Sequence, residues 1–131
     1  LYKFGVNLGI AFQLQDDLLD AFGDSNTFGK KVGGDIVENK KTILYHLTRA
    51  HATAKDLAGF EQLMSSKPKD ESQKIKVVKA IYESTDARRR TTELVMAYTN
   101  SALDALNQSS LANNKIDYFT AFAEELMVRT K

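Results

Sequence analysis

Apolar residues recur every three or four positions along most of this chain, which is the period of an amphipathic α-helix. The first apolar stripe predicts a helix from Tyr2 to about Phe22, which Gly23 ends in the left-handed conformation that favours glycine. We expect the packed face of this helix to consist of five residues: Ile10, Ala11, Leu14, Leu18 and Phe22.

A glycine-rich stretch at residues 24–34 shows neither the helical nor the strand period and is predicted to be a loop. The next apolar stripe predicts one helix that continues to Met64, before the break marked by Pro68. Its start remains open, because either Asp35 or Asn39 could act as the N-cap.

Three further apolar stripes predict helices around residues 75–82, 94–106 and 116–127. Sustained alternation of apolar and polar residues is absent, and so are the dipeptides that mark tight hairpins. The predicted fold is therefore all-α, with about five helices joined by short connections.

Composition and charge narrow the possible functions. The 131-residue chain has a net charge of +1 with both signs mixed, which gives no electrostatic reason to expect nucleic-acid binding. It contains no cysteine, which excludes disulfides and thiolate metal sites, and no apolar run approaches the ~20 residues of a transmembrane helix. The first residues lack the pattern of a signal peptide, so we expect a cytoplasmic protein. Because the chain opens on Leu1 in helical period, we expect a piece of a longer protein.

Three carboxylates lie near the end of the first predicted helix. At about 100° per residue, Asp16 and Asp20 project side by side, and Asp17 stands further round the helix. Three unpaired carboxylates repel one another, so they need either solvation or a cation, and oxygen ligands on a helix suit Mg²⁺. Two interpretations remain open here: a solvated acidic helix end, and part of a site for Mg²⁺ and a diphosphate.

Glycines and lysines follow these carboxylates. Lys30 and Lys31 lie between Gly29 and Gly33, and Lys40 lies a few residues beyond. Glycine lets backbone amides approach phosphate oxygens closely, and lysine supplies a mobile positive charge. The glycine spacing is not that of a Walker loop. Together with the carboxylates, this loop favours an anionic ligand held through a metal ion.

Five short motifs in this region resemble one family. They read FQLQDDLLD at residues 12–20, FGD at 22–24, GK at 29–30, GGDI at 33–36 and NKKT at 39–42. They resemble the second aspartate-rich region of the trans-isoprenyl diphosphate synthases, the polyprenyl synthetase family that includes farnesyl and geranylgeranyl diphosphate synthases. The resemblance is continuous from about Gly9 to Leu44, whereas the remainder agrees mainly in being helical.

This resemblance implies a head-to-tail condensation of isopentenyl diphosphate with an allylic diphosphate, through Mg²⁺-assisted ionisation of the allylic C–O bond. Asp16 would bind Mg²⁺ directly, and Asp17 and Asp20 would hold the water shell of the ion or share its coordination.

The resemblance also implies roles for residues outside the acidic cluster. Lys30 would contact the allylic diphosphate and share the catalytic role with Asp16, although Lys31 remains a rival for that position. Lys40 would add positive charge near the same diphosphate. Gln13 would lie beside the allylic diphosphate, and Phe12 would line the space for the isoprenoid chain.

The family also needs a first aspartate-rich motif and basic residues for isopentenyl diphosphate, whereas residues 1–131 contain a single Asp-Asp pair. We therefore expect residues 1–131 to form one partial domain, the C-terminal part of a longer prenyltransferase that is a homodimer at full length. The piece alone is expected to be inactive. The alternative is a non-catalytic helical subunit or scaffold that retains the acidic helix.

Two glycines extend the line of Phe12 and Asp16 toward the N-terminus of the first helix. Gly5 and Gly9 leave that strip of the helix without side chains. One hypothesis is that the bare strip accommodates the growing hydrocarbon tail of the product. The other is that the glycines permit close packing against a neighbouring helix.

Overall fold

The computed structural model describes residues 1–23 and 32–128, and these ranges contain helices and no strand. The all-α prediction is therefore confirmed. Within these ranges, no helix is both long and apolar enough to cross a membrane. The helices are α1 (Tyr2–Phe22), α2 (Gly34–Val37), α3 (Ile43–His51), α4 (Ala54–Leu63), α5 (Glu71–Ser84), α6 (Ala87–Asn107) and α7 (Asn113–Val128).

The predicted second helix is in fact three helices, α2, α3 and α4, so the described residues form seven helices and not five. The backbone leaves the helical conformation at Asn39, where φ is 59°, and at Ala52, where φ is −73° and ψ is 151°. Thr53 then caps α4, because its hydroxyl accepts a hydrogen bond of 3.2 Å from the Asp56 amide. Neither predicted N-cap is one, since Asp35 lies inside α2 and the residue at the N-cap of α3 is Thr42, not Asn39.

The end and the packed face of α1 also differ from the prediction. Gly23 ends the helix in an extended conformation, with φ −72° and ψ 170°, and its amide donates to Leu19 O at 2.7 Å. Ile10 was expected on the packed face, but its side chain is 37% exposed, whereas Ala11 beside it is fully buried. The apolar face of α1 is therefore rotated toward Phe4 and Leu8 in the N-terminal half.

Helix α1 takes part in both hydrophobic cores of the structure. Its N-terminal half packs against α6 and α7 in a core of Phe4, Leu8, Ala11, Val95, Ala102, Leu106, Ala123 and Met127. Its C-terminal half joins a second core with α2, α3, α4, α5 and the first residue of α6, formed by Ala21, Ile36, Leu44, Tyr45, Phe60, Met64, Val78, Tyr82 and Ala87. The acidic end of α1 is thereby supported by the shorter helices that follow it.

Aromatic rings fill the centre of the second core. Phe60 and Tyr82 are at most 1% exposed, and their ring centroids lie 5.9 Å apart. Tyr45 lies 5.5 Å from Phe60, and Phe22 at the end of α1 lies 6.4 Å from Tyr82. Such tilted and edge-to-face pairs contribute about 0.5–1.5 kcal/mol each beyond the area that they bury. They fix the C-terminal end of α1 against α4 and α5.

Helix α7 returns to the middle of α1. The buried side chain of Gln15 donates a hydrogen bond of 2.5 Å from Nε2 to the backbone oxygen of Met127, in the last turn of α7. This bond satisfies a carbonyl group that has no partner within its own helix. The C-terminal end of α7 therefore lies next to the residue that precedes Asp16.

Candidate functional site

The carboxylate of Asp17 is held by the start of α3. Asp17 is 8% exposed, and its Oδ2 accepts a hydrogen bond of 3.4 Å from the backbone amide of Ile43, the first residue of that helix. Its Oδ1 accepts a second bond of 3.0 Å from Nε2 of Gln13. The first amides of a helix carry partial positive charge and lack helical partners, so a carboxylate stabilises them. Asp17 thus acts as a cap supplied by another helix.

Asp20 binds the segment that leads into α2. Its side chain is also 8% exposed, and Oδ1 accepts a hydrogen bond of 2.8 Å from the Asp35 amide. Its backbone oxygen accepts a bond of 2.5 Å from the amide of Gly33. Asp20 therefore joins the end of α1 to the start of α2 through two hydrogen bonds.

Asp16 differs from both neighbours. Its side chain is half-buried, and within the described part of the chain its carboxylate takes part in no hydrogen bond or ion pair. The line of residues predicted along α1 continues with Phe12, which is also half-buried, and with Gln13 beside it, which is exposed. Asp16 is thus the carboxylate of the three with the greatest freedom to bind a ligand.

A fourth carboxylate joins this cluster. The sequence indicates Asp35 only as a possible N-cap and as part of a motif, but in the structure its carboxyl group is close enough to Asp20 for their charges to interact. Burial, and then the negative charge of Asp20, raises the pKa of Asp35 above its ordinary value, and the positive charge of Lys40 partly offsets this. The charges of Asp17 and Asp16 also raise this pKa. The negative charges of four carboxylates therefore act on one another, and a cation nearby would be favoured.

Lys40 is the predicted lysine that the structure places beside this cluster. Its Nζ lies 3.8 Å from Oδ1 of Asp35, and its side chain is about half exposed. Its backbone amide donates to Asp35 O at 2.9 Å, which closes the turn after α2. Lys30 and Lys31, the predicted diphosphate ligands, lie outside the described residues.

Tyr82 lies beneath the carboxylates in the second core. Its hydroxyl forms a hydrogen bond with the side chain of Thr42, which is the N-cap residue of α3 but does not cap that helix itself. Burial raises the pKa of Tyr82 well above its ordinary value of 10.0, and the nearby charges of Asp35 and Asp17 act in the same direction. Tyr82 therefore remains neutral and supports the start of α3, which Asp17 caps.

The four carboxylates suit a hard cation, although they do not form a complete metal site. Among residues 1–23 and 32–128, no three histidine, cysteine or acidic side chains are grouped closely enough to hold a metal ion. Mg²⁺ commonly uses one or two protein carboxylates and completes its coordination with water and phosphate oxygens. The donor chemistry of Asp16, with Asp20 and Asp35 close by, fits one side of such a shared site.

Known proteins share both the sequence and the fold of this region. The family model for polyprenyl synthetases matches residues 1–82. A geranylgeranyl diphosphate synthase of Saccharolobus solfataricus is 49% identical over 53 residues, which cover 40% of this chain and 16% of that protein. A farnesyl pyrophosphate synthase of Schizosaccharomyces pombe is 30% identical over 127 residues, which cover 95% of this chain and 35% of that protein.

Structural similarity extends over nearly the whole chain. The crystal structure of a geranylgeranyl pyrophosphate synthase superposes with a TM-score of 0.87 and 36% sequence identity, and the match covers 99% of this chain and 41% of that one. The chain therefore spans well under half the length of each of these proteins. Sequence and fold agree that the chain belongs to the polyprenyl synthetase family.

Proposed function

We propose that the protein containing this chain condenses isopentenyl diphosphate with an allylic diphosphate, head to tail, to make a longer polyprenyl diphosphate. The proposal rests on membership of the polyprenyl synthetase family and on relatives that are named farnesyl and geranylgeranyl diphosphate synthases. In this reading, α1 and the segment from Gly33 to Lys40 contribute one half of a clamp for Mg²⁺ and the allylic diphosphate.

The observation that carries the proposal is the contrast among the three aspartates of α1. Asp17 and Asp20 accept backbone hydrogen bonds from α3 and α2, whereas Asp16 takes part in none within the described residues. If this end of α1 were merely solvated, two of its three carboxylates would not need to be buried against the starts of other helices. In a rigid site, the bonds of Asp17 and Asp20 hold this end of α1 in place and thereby fix the position of Asp16.

We assign Asp16 as the direct ligand of Mg²⁺. Asp20 and Asp35 are proposed to accept hydrogen bonds from the water shell of the ion, and the negative charge of Asp17 is proposed to add to the attraction for it. Mg²⁺, when bound, supplies positive charge that stabilises the departing diphosphate.

The basic and apolar residues complete this half of the site. Lys40 lies 3.8 Å from Asp35 in the structure and is proposed to turn toward the diphosphate when that ligand binds. Lys30, with Lys31 as its rival, is proposed to contact the allylic diphosphate. Gln13 is proposed to orient Asp17 beside that diphosphate, and Phe12 to line the space for the isoprenoid chain.

The other half of the clamp is assigned to the rest of a longer protein. On this reading, residues 1–131 form the C-terminal part of one domain and have no activity alone, because half of a clamp cannot position both substrates. The full-length protein is proposed to be a cytoplasmic homodimer. The second candidate, a non-catalytic helical subunit, would retain the packing of α1 but not the turnover.

The test replaces Asp16 in the full-length protein by asparagine, which keeps the shape of the side chain and removes its charge. Turnover of isopentenyl and allylic diphosphates is measured by the formation of the longer product. We expect kcat/KM to fall by about 100-fold or more, which corresponds to ~2.7 kcal/mol of transition-state stabilisation.

Asp117→Asn is the matched control, because Asp117 is an exposed carboxylate on α7. This variant should stay within about twofold of the unaltered protein. Undiminished turnover in Asp16→Asn would contradict the proposed role of Asp16. A full-length protein without any turnover would instead support the non-catalytic subunit.

A further inference from the structure

Two residues with positive φ bracket α2, which carries Asp35, and Lys40 follows the second of them directly. Gly33 has φ +91° and Asn39 has φ +59°, and α2 lies between them. Positive φ is open to glycine at little cost, and asparagine adopts it more readily than most other residues with a side chain. The contacts at these two residues indicate what holds the segment in place.

Helix α5 contacts both ends through consecutive residues. A Cβ atom at Gly33 would lie 2.7 Å from Cδ1 and 2.8 Å from Cγ1 of Ile75, so the backbone at Gly33 rests directly on that side chain. The preceding residue, Lys74, extends its amino group to the side-chain oxygen of Asn39. Ile75 and Lys74 thus contact the two positive-φ residues at opposite ends of α2.

The environment of Lys74 is unusual for a lysine. Its side chain is 4% exposed, and the described part of the chain gives its amino group two neutral acceptors and no ion pair. The second acceptor is the backbone oxygen of Ser66, at 2.9 Å. Burial lowers the pKa of Lys74 below its ordinary value. A buried cation of this kind is costly, which indicates a role beyond covering the core.

Asn39 is held on both sides of its amide group. Its oxygen accepts from Lys74, and its Nδ2 donates to Ser66 O at 3.4 Å, so the three residues form a closed triangle of hydrogen bonds. The next residue along the chain is Lys40, whose amide bonds to Asp35 O. Whatever fixes Asn39 therefore fixes the backbone from which Lys40 extends.

We propose that Lys74 and Ile75 form a clamp, here called the α5 clamp, that positions Asp35 and Lys40 for the metal and the diphosphate. Lys74 is a positioning residue in this proposal, since it acts through Asn39 and not on the substrate. The inference rests on the proposed function and adds a residue that lies outside the aspartate and lysine motifs.

The test compares Lys74→Met with Lys76→Met in the full-length protein. Methionine keeps the unbranched stem of Lys74 and removes its amino group, and Lys76 is an exposed lysine two residues away on the same helix. Backbone hydrogen exchange is measured at residues 34–42. We expect the Asn39 and Lys40 amides to exchange at least about tenfold faster in Lys74→Met and to be unchanged in Lys76→Met. Equal exchange rates in the two variants would contradict the proposed α5 clamp.

The variant Asn39→Gly distinguishes an effect of the α5 clamp on Asn39 from a general loss of stability. Glycine adopts positive φ without strain but lacks the amide group that Lys74 holds, so this variant alone should also accelerate exchange at Lys40. Adding Lys74→Met to it should then change the rate less than about threefold. A tenfold effect that persists in the Asn39→Gly background would mean that Lys74 acts only through the stability of α5. Asn39→Gly also supplies the comparison if Lys74→Met does not fold.

Steady-state kinetics supply the functional readout. In Lys74→Met we expect KM for the allylic diphosphate to rise about fivefold or more, with kcat within about threefold. Faster exchange without a change in KM would overturn the positioning role. If the unaltered protein shows no turnover, the proposed prenyl transfer fails, whereas the exchange comparison still decides whether the α5 clamp exists.

Discussion

Asp20 and Asp16 offer a test of whether neighbouring carboxylates have different tasks. Asp20→Ala removes the acceptor of the Asp35 amide, a contact of 2.8 Å at a side chain that is 8% exposed. A hydrogen bond to a charged group contributes about 1.5–3 kcal/mol, and an amide left partly buried without a partner adds to the loss. Relief of the repulsion between Asp20 and Asp35 offsets part of this. We expect a net loss of about 2 kcal/mol in the free energy of unfolding.

The measurement is urea unfolding of the full-length protein followed by circular dichroism, in excess chelator so that metal binding does not contribute. Asp20→Asn should lose about 1 kcal/mol less than Asp20→Ala, because the amide oxygen still accepts the bond from Asp35. Asp16→Ala is the control. Its carboxylate takes part in no hydrogen bond within the described residues, so stability should change by about 0.5 kcal/mol or less.

Equal destabilisation in Asp16→Ala and Asp20→Ala under chelation would contradict this prediction. An Asp20→Ala protein as stable as the unaltered one would contradict it as well. In either case, the hydrogen bond from the Asp35 amide would not explain why Asp20 is buried.

Two further predictions concern Tyr82 and Gly9. The raised pKa of Tyr82 means that only the unfolded state releases this phenolic proton just above pH 10, so stability falls as the pH rises through that range. Tyr82→Phe should lose about 1 kcal/mol at neutral pH and show a shallower alkaline fall in unfolding experiments, and an unchanged slope would contradict the assignment. A Cβ at Gly9 meets nothing within 4 Å, so Gly9→Leu should fold normally and shorten the longest product of the full-length enzyme if the bare strip holds the hydrocarbon tail. An unchanged product distribution in chain-length analysis would contradict that hypothesis.

The helical pattern of the sequence was sufficient for the fold class but not for the breaks between helices. The stripe from Leu44 to Met64 continues across Ala52, because the residues on either side keep the same period. The local signal was present, since Thr53 stands three residues before Asp56 as in a helix cap. The left-handed turn at Asn39 had a weak local signal, because asparagine adopts this conformation more readily than most residues, but the contact with Lys74 that holds it comes from a later helix.

The grouping of Asp16, Asp17 and Asp20 follows from helical spacing, but the difference in their hydrogen-bond partners does not. The amides that Asp17 and Asp20 accept belong to Ile43 and Asp35, which lie on other helices. Spacing within α1 cannot show which carboxylate faces a later helix start. The burial of Lys74 could not be predicted for a similar reason, since the amino group of a lysine near the apolar stripe of a helix is ordinarily solvated.

The two bonds at Asp20 have a consequence for the attachment of α2 to α1. The amide of Gly33 lies 2.5 Å from the backbone oxygen of Asp20, and the amide of Asp35 lies 2.8 Å from its Oδ1. The first of these bonds does not depend on the side chain at position 20. Substitutions of Asp20 should therefore weaken the attachment of α2 without abolishing it, because the backbone bond still joins Gly33 to the end of α1.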